Sequence, residues 1–550
     1  MSLPMVDPPE ALMDHDILTL IFEHFDLQAG SNTNARARKD LLAAAKTCKA
    51  FVEPALNQLW RVLPSLLPLL LLLPSAQVSN NHYVSHTLFS GLSCCLTSIK
   101  FVDRLPLRKW ERFDLHAPRV RTLYMEKLNI VISSHVYLRI RSMRDAPLLP
   151  GLKQIYIPDN TFDLSSALLL ASQSDLNLVQ LNNSATSDRQ FFIPFLHLLS
   201  INSPNLVHLT LCGTSNTSLD LVPRFRSLQS LDLRFSGTHL DSQLLQDLGK
   251  LDNLLDLTLD TGPSTETPTQ QLDLPPSINH SNFEKLRKLH ILGTPRSISC
   301  VLNEMNVLIN LTTIIIHETT DQSGPDTEGA WKRCFAIIST FPAIKDIEIT
   351  QLPPSWRSHY ALSISCFFPL LKLVNVTSFV VNNSTLSGSD DDFRFLASAF
   401  PKLKKFVEPC ASYSEGRTLA RLLHFSQANQ DLREMKVSIA SNIDNNLKAI
   451  NAINTPGHPL TQNQQHPLRK LYIASQFGNF GSPSLPDMIQ VAQFLDLIFP
   501  NLSTLEAYGS CTTEASTWTQ IQQIRVALQA ARIKASSATM NMASMVSFCD

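Results

Sequence analysis

The stretch PNLVHLTL, residues 204 to 211, decides the fold. Leu206, Leu209 and Leu211 give it the spacing apolar-x-x-apolar-x-apolar. Its second half alternates as a strand with one buried face does, because successive side chains on a strand point to opposite sides. The same pattern follows as RSLQSLDL at 226–233, DNLLDLTL at 252–259 and EKLRKLHI at 284–291. Upstream it recurs as PRVRTLYM, PGLKQIYI and SDLNLVQL. Downstream it recurs as INLTTIII, PAIKDIEI, PLLKLVNV (with Leu371 as its lead residue), PKLKKFVE, QDLREMKV, HPLRKLYI and PNLSTLEA. From Val120 to Leu502 these units return at intervals averaging about 29 residues. Helix-like stretches such as FRFLASAF (393–400) and VAQFLDLIFP (491–500) precede several of them. A strand plus helix of this size cannot hide its apolar face alone, whereas stacked neighbours bury a continuous core.

Composition narrows the function. The chain has 550 residues, with 46 Lys plus Arg against 47 Asp plus Glu, a net charge of −1. That balance argues against a partner held by bulk charge, whether nucleic acid or membrane surface. With 44% hydrophobic and 17% charged residues, wholesale disorder is excluded. There is no Gly-x-Gly, no P-loop and no G-x-S-x-G, so neither a cofactor nor an enzymatic activity is expected. A doubly wound sheet would also repeat strand and helix, but it would need the glycine-rich first turn. The cysteines form no C-x-x-C pair and read as reduced, mostly buried small hydrophobes. His82 and His86 share an i, i+4 spacing but have no third ligand, so no metal site is expected.

The opening MSLPMVDPPE lacks the basic and apolar regions of a secretory leader, which points to the cytoplasm or nucleus. The apolar run from Val62 to Pro74 contains Pro64, Pro68 and Pro74 and is too short for a bilayer of about 30 Å, so it reads as a packing segment.

Before the repeats, Ile17, Leu18, Ile21, Phe22 and Phe25 fall on one helical stripe. A polar insertion at Gln28–Lys39 follows and reads as a loop with solvated Arg36, Arg38 and Lys39. Leu41, Leu42, Ala45, Cys48 and Phe51 form a second stripe. Pro54 opens a third segment carrying Leu56, Leu59, Trp60 and Leu63.

The order ILxxIFxxF, DLLAAAKTCKAF, PALxxLW resembles an F-box, and with the following LWRxLxSLLPLLxLLP it is similar to a set of fungal F-box proteins. The resemblance implies docking onto the Skp adaptor of a cullin-RING ubiquitin ligase. It points to Ile17, Leu18, Ile21, Phe22, Leu41, Leu42, Cys48, Phe51, Leu59 and Trp60 as adaptor-binding or supporting positions. Met13-Asp14 stands where the family has Leu-Pro. By amphipathicity alone, the same residues would serve equally to pack the helices onto the repeats.

The repeats resemble an irregular leucine-rich repeat array, although the Asn or Cys that usually follows the strand is approached only at Cys212. The expectation is an α/β fold: a three-helix F-box module (1–75), a connecting segment (76–115), a leucine-rich repeat solenoid or horseshoe (116–510), and a capping helix with its tail (511–550). The Pro-, Gly- and Ser-rich stretches at 262–282, 317–329, 384–392 and 455–467 read as surface loops, and the last residues as frayed. The strand face left open by the array is the candidate target surface, with Asp232, Arg234, Asp256, Asp260 and His290 as its candidate residues, and the acidic character between Asp232 and Asp260 would suit a basic segment. A plain solvated face has the same alternation. Together these features imply a substrate receptor of an SCF-type ubiquitin ligase. The alternative is a repeat scaffold that binds proteins independently of any ligase.

Overall fold

The computed structural model describes residues 14–25, 33–73, 76–80, 97–101, 110–126, 130–132, 134–144, 146–159, 164–172, 175–214, 219–236, 242–262, 283–305, 308–319, 327–351, 361–382, 385–408, 418–439, 443–453, 466–474, 483–508 and 512–546. His82, His86 and most of the 262–282 and 455–467 stretches lie outside them. The chain divides into two units, 1–238 with 251–254, and 239–250 with 255–550.

In the first unit, parallel strands follow one another in chain order: Val62–Leu63, Thr122–Tyr124, Gln154–Ile157, Leu178–Leu181, His208–Thr214 and Ser230–Ser236. Leu123, Ile155, Val179, Leu209 and Leu231 stand in one register row, and all are buried. A slip of one residue would turn that row to solvent, so burial holds the register. The Val62–Pro74 run supplies the first of these strands and the short helix Leu67–Leu70. It buries Leu63, Leu66, Leu69, Leu70 and Leu73. A separate sheet pairs Ala76–Asn80 with Thr97–Phe101 and that strand with Ile130–Ile132.

The second unit has its own strands in chain order: Asp256–Asp260, Lys288–Gly293, Thr313–Glu318, Asp346–Gln351, Ser378–Asn382, Lys405–Val407, Glu434–Ser438, Lys470–Ala474 and Thr504–Ala507. Leu257, Leu289, Ile314, Ile347, Phe379, Phe406, Met435, Leu471 and Leu505 form the continuous buried row. Both units are therefore stacks of repeats that each contribute one parallel strand to a buried apolar row.

Two sequence expectations are corrected here. Leu371 does not lead a strand; it lies in the 3-10 helix Ile364–Lys372, and Val376 leads the strand Ser378–Asn382. PLLKLVNV is apolar at too many positions to fix a register, and the aromatic and β-branched SFVVN that follows takes the extended conformation. The 384–392 stretch is not simply a loop. Thr385–Ser387 pairs with Ala361–Ser363, and Ser389 and Asp392 form a capping box that starts the helix Asp390–Ala399.

Beside the strands, aromatic rings tie successive repeats of the second unit together. Phe335, Phe367, Phe379, Phe406 and Phe425 follow one another at centroid distances of 4.9, 5.4, 6.1 and 4.7 Å. The buried polar position at the end of three strands is filled by Thr261, Glu318 and Gln351. The side chain of Gln351 donates to Glu318, and that of Thr261 to the Leu292 carbonyl at 3.0 Å. Gly293, at φ +152°, is required beside it, since a Cβ there would lie 1.8 Å from the Thr261 hydroxyl. At the end of the chain, the helix Thr512–Val546 buries Trp518 and Ile521. Gln522 and Gln529 donate to the carbonyls of Ser503 and Pro500, and Arg532 pairs with Asp496 at 3.0 Å. The helix extends through residues expected to fray.

One core position is charged. Glu408 occupies the third apolar place of its repeat, after Leu403 and Phe406, and has no exposed surface. Arg421, equally buried, donates to it at 2.7 Å and to the Ser438 carbonyl at 2.9 Å, with its guanidinium 3.7 Å from the Phe393 ring centre. Removing one member of a buried pair leaves the other charge uncompensated. Arg421→Met is expected to destabilise by about 3–5 kcal/mol in denaturant titration, while Glu408→Leu combined with Arg421→Met recovers most of that loss. Equal loss in the single and double variants would contradict this.

His466 gives a second test. It is buried, accepts from the Leu468 N–H at 3.3 Å through Nδ1 and meets the Asn429 carbonyl at 3.1 Å through Nε2, an arrangement that suits the neutral ring. Burial lowers its pKa from 6.5 to about 4. Between those values the unfolded chain holds a proton that the folded chain does not. Stability contributed by the neutral ring is therefore present above pH 6.5 and falls as pH drops toward 4, by up to roughly 3 kcal/mol. Urea midpoints measured across this range are expected to fall less steeply for His466→Gln than for the wild type; parallel slopes would refute the assignment.

Candidate functional site

Two surfaces follow from this frame. The first is the N-terminal helical module: α1 (His15–Glu23), α2 (Thr33–Ala45) and α3 (Lys49–Arg61). Asp14, which departs from the family's Leu-Pro, caps α1 by accepting from the Asp16 and Ile17 amides. Helix α2 starts inside the expected loop, because Ala35, Arg36, Ala37, Arg38 and Lys39 are all strong helix formers. Nor is Arg38 simply solvated. Its guanidinium donates to the carbonyls of Leu59 and Val62, at 3.3 and 2.7 Å, and closes the end of α3. At the other end of α2, the Thr47 hydroxyl donates to Ala43 and Ala44. Cys48 thus stands at the N-cap of α3 and Phe51 in its first turn, and Pro54 lies within that helix rather than opening it.

The expected adaptor positions separate into three groups. Leu18, Phe22 and Leu41 are the module's own core with Ala55, and Phe51 and Leu59 pack against them. Phe51 meets Phe22 edge-on at 5.7 Å. Trp60 faces the other way and stacks on His116 at 4.5 Å, while Arg119 pairs with Glu53 at 2.8 Å, so one face of α3 is seated on the repeat that follows. Ile17, Ile21 and Leu42 are 39%, 44% and 43% exposed, and Cys48 is exposed as well. Leu20, which the stripe reading passed over, is 63% exposed and shares the face of Ile17 and Ile21 at i+3. Among the five cysteines within the described residues, Cys300 is exposed like Cys48, Cys212 is intermediate, and Cys334 and Cys366 are buried, so burial holds for two of these five; Cys94, Cys95, Cys410, Cys511 and Cys549 lie outside the described residues.

The second surface is the strand face. In the first unit, Arg234 grips Asp232 through two hydrogen bonds of 2.9 and 2.8 Å. Burial pushes the Asp232 carboxyl up against that pull. In the second unit, Asp256 stands opposite Lys288, and Asp260 accepts from the Gly262 amide at 2.9 Å. The His290 ring meets His317 edge-on at 4.4 Å. The three carboxylates thus have local polar neighbours. Farther along, Lys405, Glu434 and Lys470 alternate in charge on one row, with Lys405 and Glu434 4.0 Å apart. Among the described residues no group of acidic, histidine or cysteine side chains is arranged to hold a metal ion, and no helix is long and apolar enough to cross a membrane.

No family model and no curated protein matches the chain. Among solved structures it is similar to an internalin (inlF) from Listeria monocytogenes, at 12% identity and TM-score 0.32 over 66% of this chain and 83% of that one. The leucine-rich repeat domain of APL1 matches at 13% identity and TM-score 0.30, over 72% and 82%. The mouse RP105/MD-1 complex matches at 10% and 0.33, over 71% and 67%. Resemblance at this level carries nothing about function; the register of the chain's own strands is what makes it a repeat protein.

Proposed function

We propose that the chain is the substrate-recognition subunit of an SCF-type cullin-RING ubiquitin ligase, with α1 and α2 docking the Skp adaptor and the strand face holding a target protein. The observation that carries this reading is apolar surface left over once the module's core is complete. Leu18, Phe22 and Leu41 already fill the interior, yet Ile17, Leu20, Ile21 and Leu42 remain exposed. An apolar face wider than its own core is suited to a partner helix. The second reading, a repeat scaffold without ligase, draws support from Trp60 and Arg119, which anchor the module to the array and give α3 a packing role.

The test is calorimetric titration of the full chain with a purified Skp adaptor. Ile17→Asp with Ile21→Asp places two carboxylates in the docking face without touching the core. It is expected to weaken adaptor binding by about a hundredfold or more and to leave the thermal transition nearly unchanged. Leu18→Asp would be uninformative, since it breaks the module itself. A wild-type chain that does not bind the adaptor would favour the scaffold, and a double variant that binds normally would move docking away from α1.

A further inference from the structure

The residues just ahead of the strands of the second unit form a line of their own. Backbone amides and carbonyls join Leu255, Arg287, Thr312, Lys345, Thr377, Lys404, Arg433, Arg469 and Ser503 in an unbroken chain of hydrogen bonds of 2.7 to 3.0 Å. Five of these nine are cations, none is an anion, and all five cations are exposed. Lys404, Arg433 and Arg469 sit on consecutive strands, with backbones roughly 5 Å apart. Like charges at that spacing repel, and among the described residues none of the five has an ion pair or a side-chain hydrogen bond.

The corresponding cations of the first unit behave differently, since Arg121 donates to the Gly151 carbonyl and Lys153 pairs with Asp175. At one end of the line, a groove of about 460 Å³ is lined by Lys285, Arg287 and Lys345 among neutral residues that include Asn310, Thr312 and Asn375.

We infer that this edge of the second unit is a binding site for an extended acidic polypeptide segment. From Arg287 to Arg469 the line covers roughly 29 Å, the length of about nine extended residues. Thr312, Thr377 and Ser503 interleave hydroxyls with the charges, and the line offers no aromatic face for a nucleic-acid base to stack on. The adjoining row mixes Asp256, Asp346 and Glu434 with Lys288, Lys405 and Lys470 and so carries no net charge, which leaves the line itself as the cationic feature of this edge. The site stands whether or not the N-terminal helices dock an adaptor.

Fluorescence anisotropy on the full chain tests it, with a labelled oligoglutamate of about nine residues as probe, and oligolysine and oligothymidylate of similar length as controls. Lys404→Gln, Arg433→Gln and Arg469→Gln together are expected to weaken oligoglutamate binding roughly tenfold to a hundredfold. The thermal midpoint should be unchanged or raised, because repulsion is relieved. Lys39→Gln, Lys46→Gln and Lys49→Gln remove the same charge elsewhere and should leave binding within about twofold of the wild type, their effect being only long-range and screened. The inference is overturned if oligoglutamate fails to bind at millimolar concentration, if the two triple variants lose affinity equally, or if oligothymidylate binds more tightly than oligoglutamate.

Discussion

The structure depends on a column of apolar side chains kept in register from one parallel strand to the next. In the second unit that column runs from Leu257 to Leu505 and every member is buried. Each repeat offers too little apolar area to fold alone, so its stability comes from the repeats on either side. Because side chains alternate along a strand, holding the column inside also fixes which residues face outward. The strand face and the line of cations ahead of it are thus consequences of core packing, aligned by the register of the strands.

Where polar groups enter the core beside the column, the chain compensates locally. Glu408 in a core place is matched by Arg421, which reaches in from the helix Ala420–Ala428. Thr261, Glu318 and Gln351 satisfy the buried polar position with different chemistries. At these three strand ends the fold imposes a hydrogen-bonding requirement rather than one residue type. The N-terminal module follows the same logic, with Arg38 and Gln58 closing helix ends while one face of α1 stays apolar and open.

The repeating L-x-x-L-x-L spacing made the fold legible, because a period of two inside a longer period of about 29 has few other physical solutions. The reading misled where apolar residues were too dense to choose a register, at Leu371, where polar residues were also good helix formers, at Thr33–Lys39, and where a Ser- and Asp-rich stretch, 385–392, forms a strand and a helix cap rather than a loop. The surfaces were harder to read. A helical stripe identifies residues that share a face but not which of them the chain's own core will consume, so Leu18 and Ile17 look alike in sequence and differ in the fold. Reading only residues inside the strands also passed over Arg287, Lys345, Lys404, Arg433 and Arg469, each one position earlier. Their alignment needs the register, which no single repeat contains.

Hydrogen exchange of the Ile347→Ala variant tests the central claim most directly. Ile347 sits mid-column, between Ile314 and Phe379. If the column is what holds the repeats, the amides of Thr313–Glu318 and Ser378–Asn382 will lose protection along with those of Asp346–Gln351. Loss confined to Asp346–Gln351, with both neighbouring strands exchanging as in the wild type, would contradict the account.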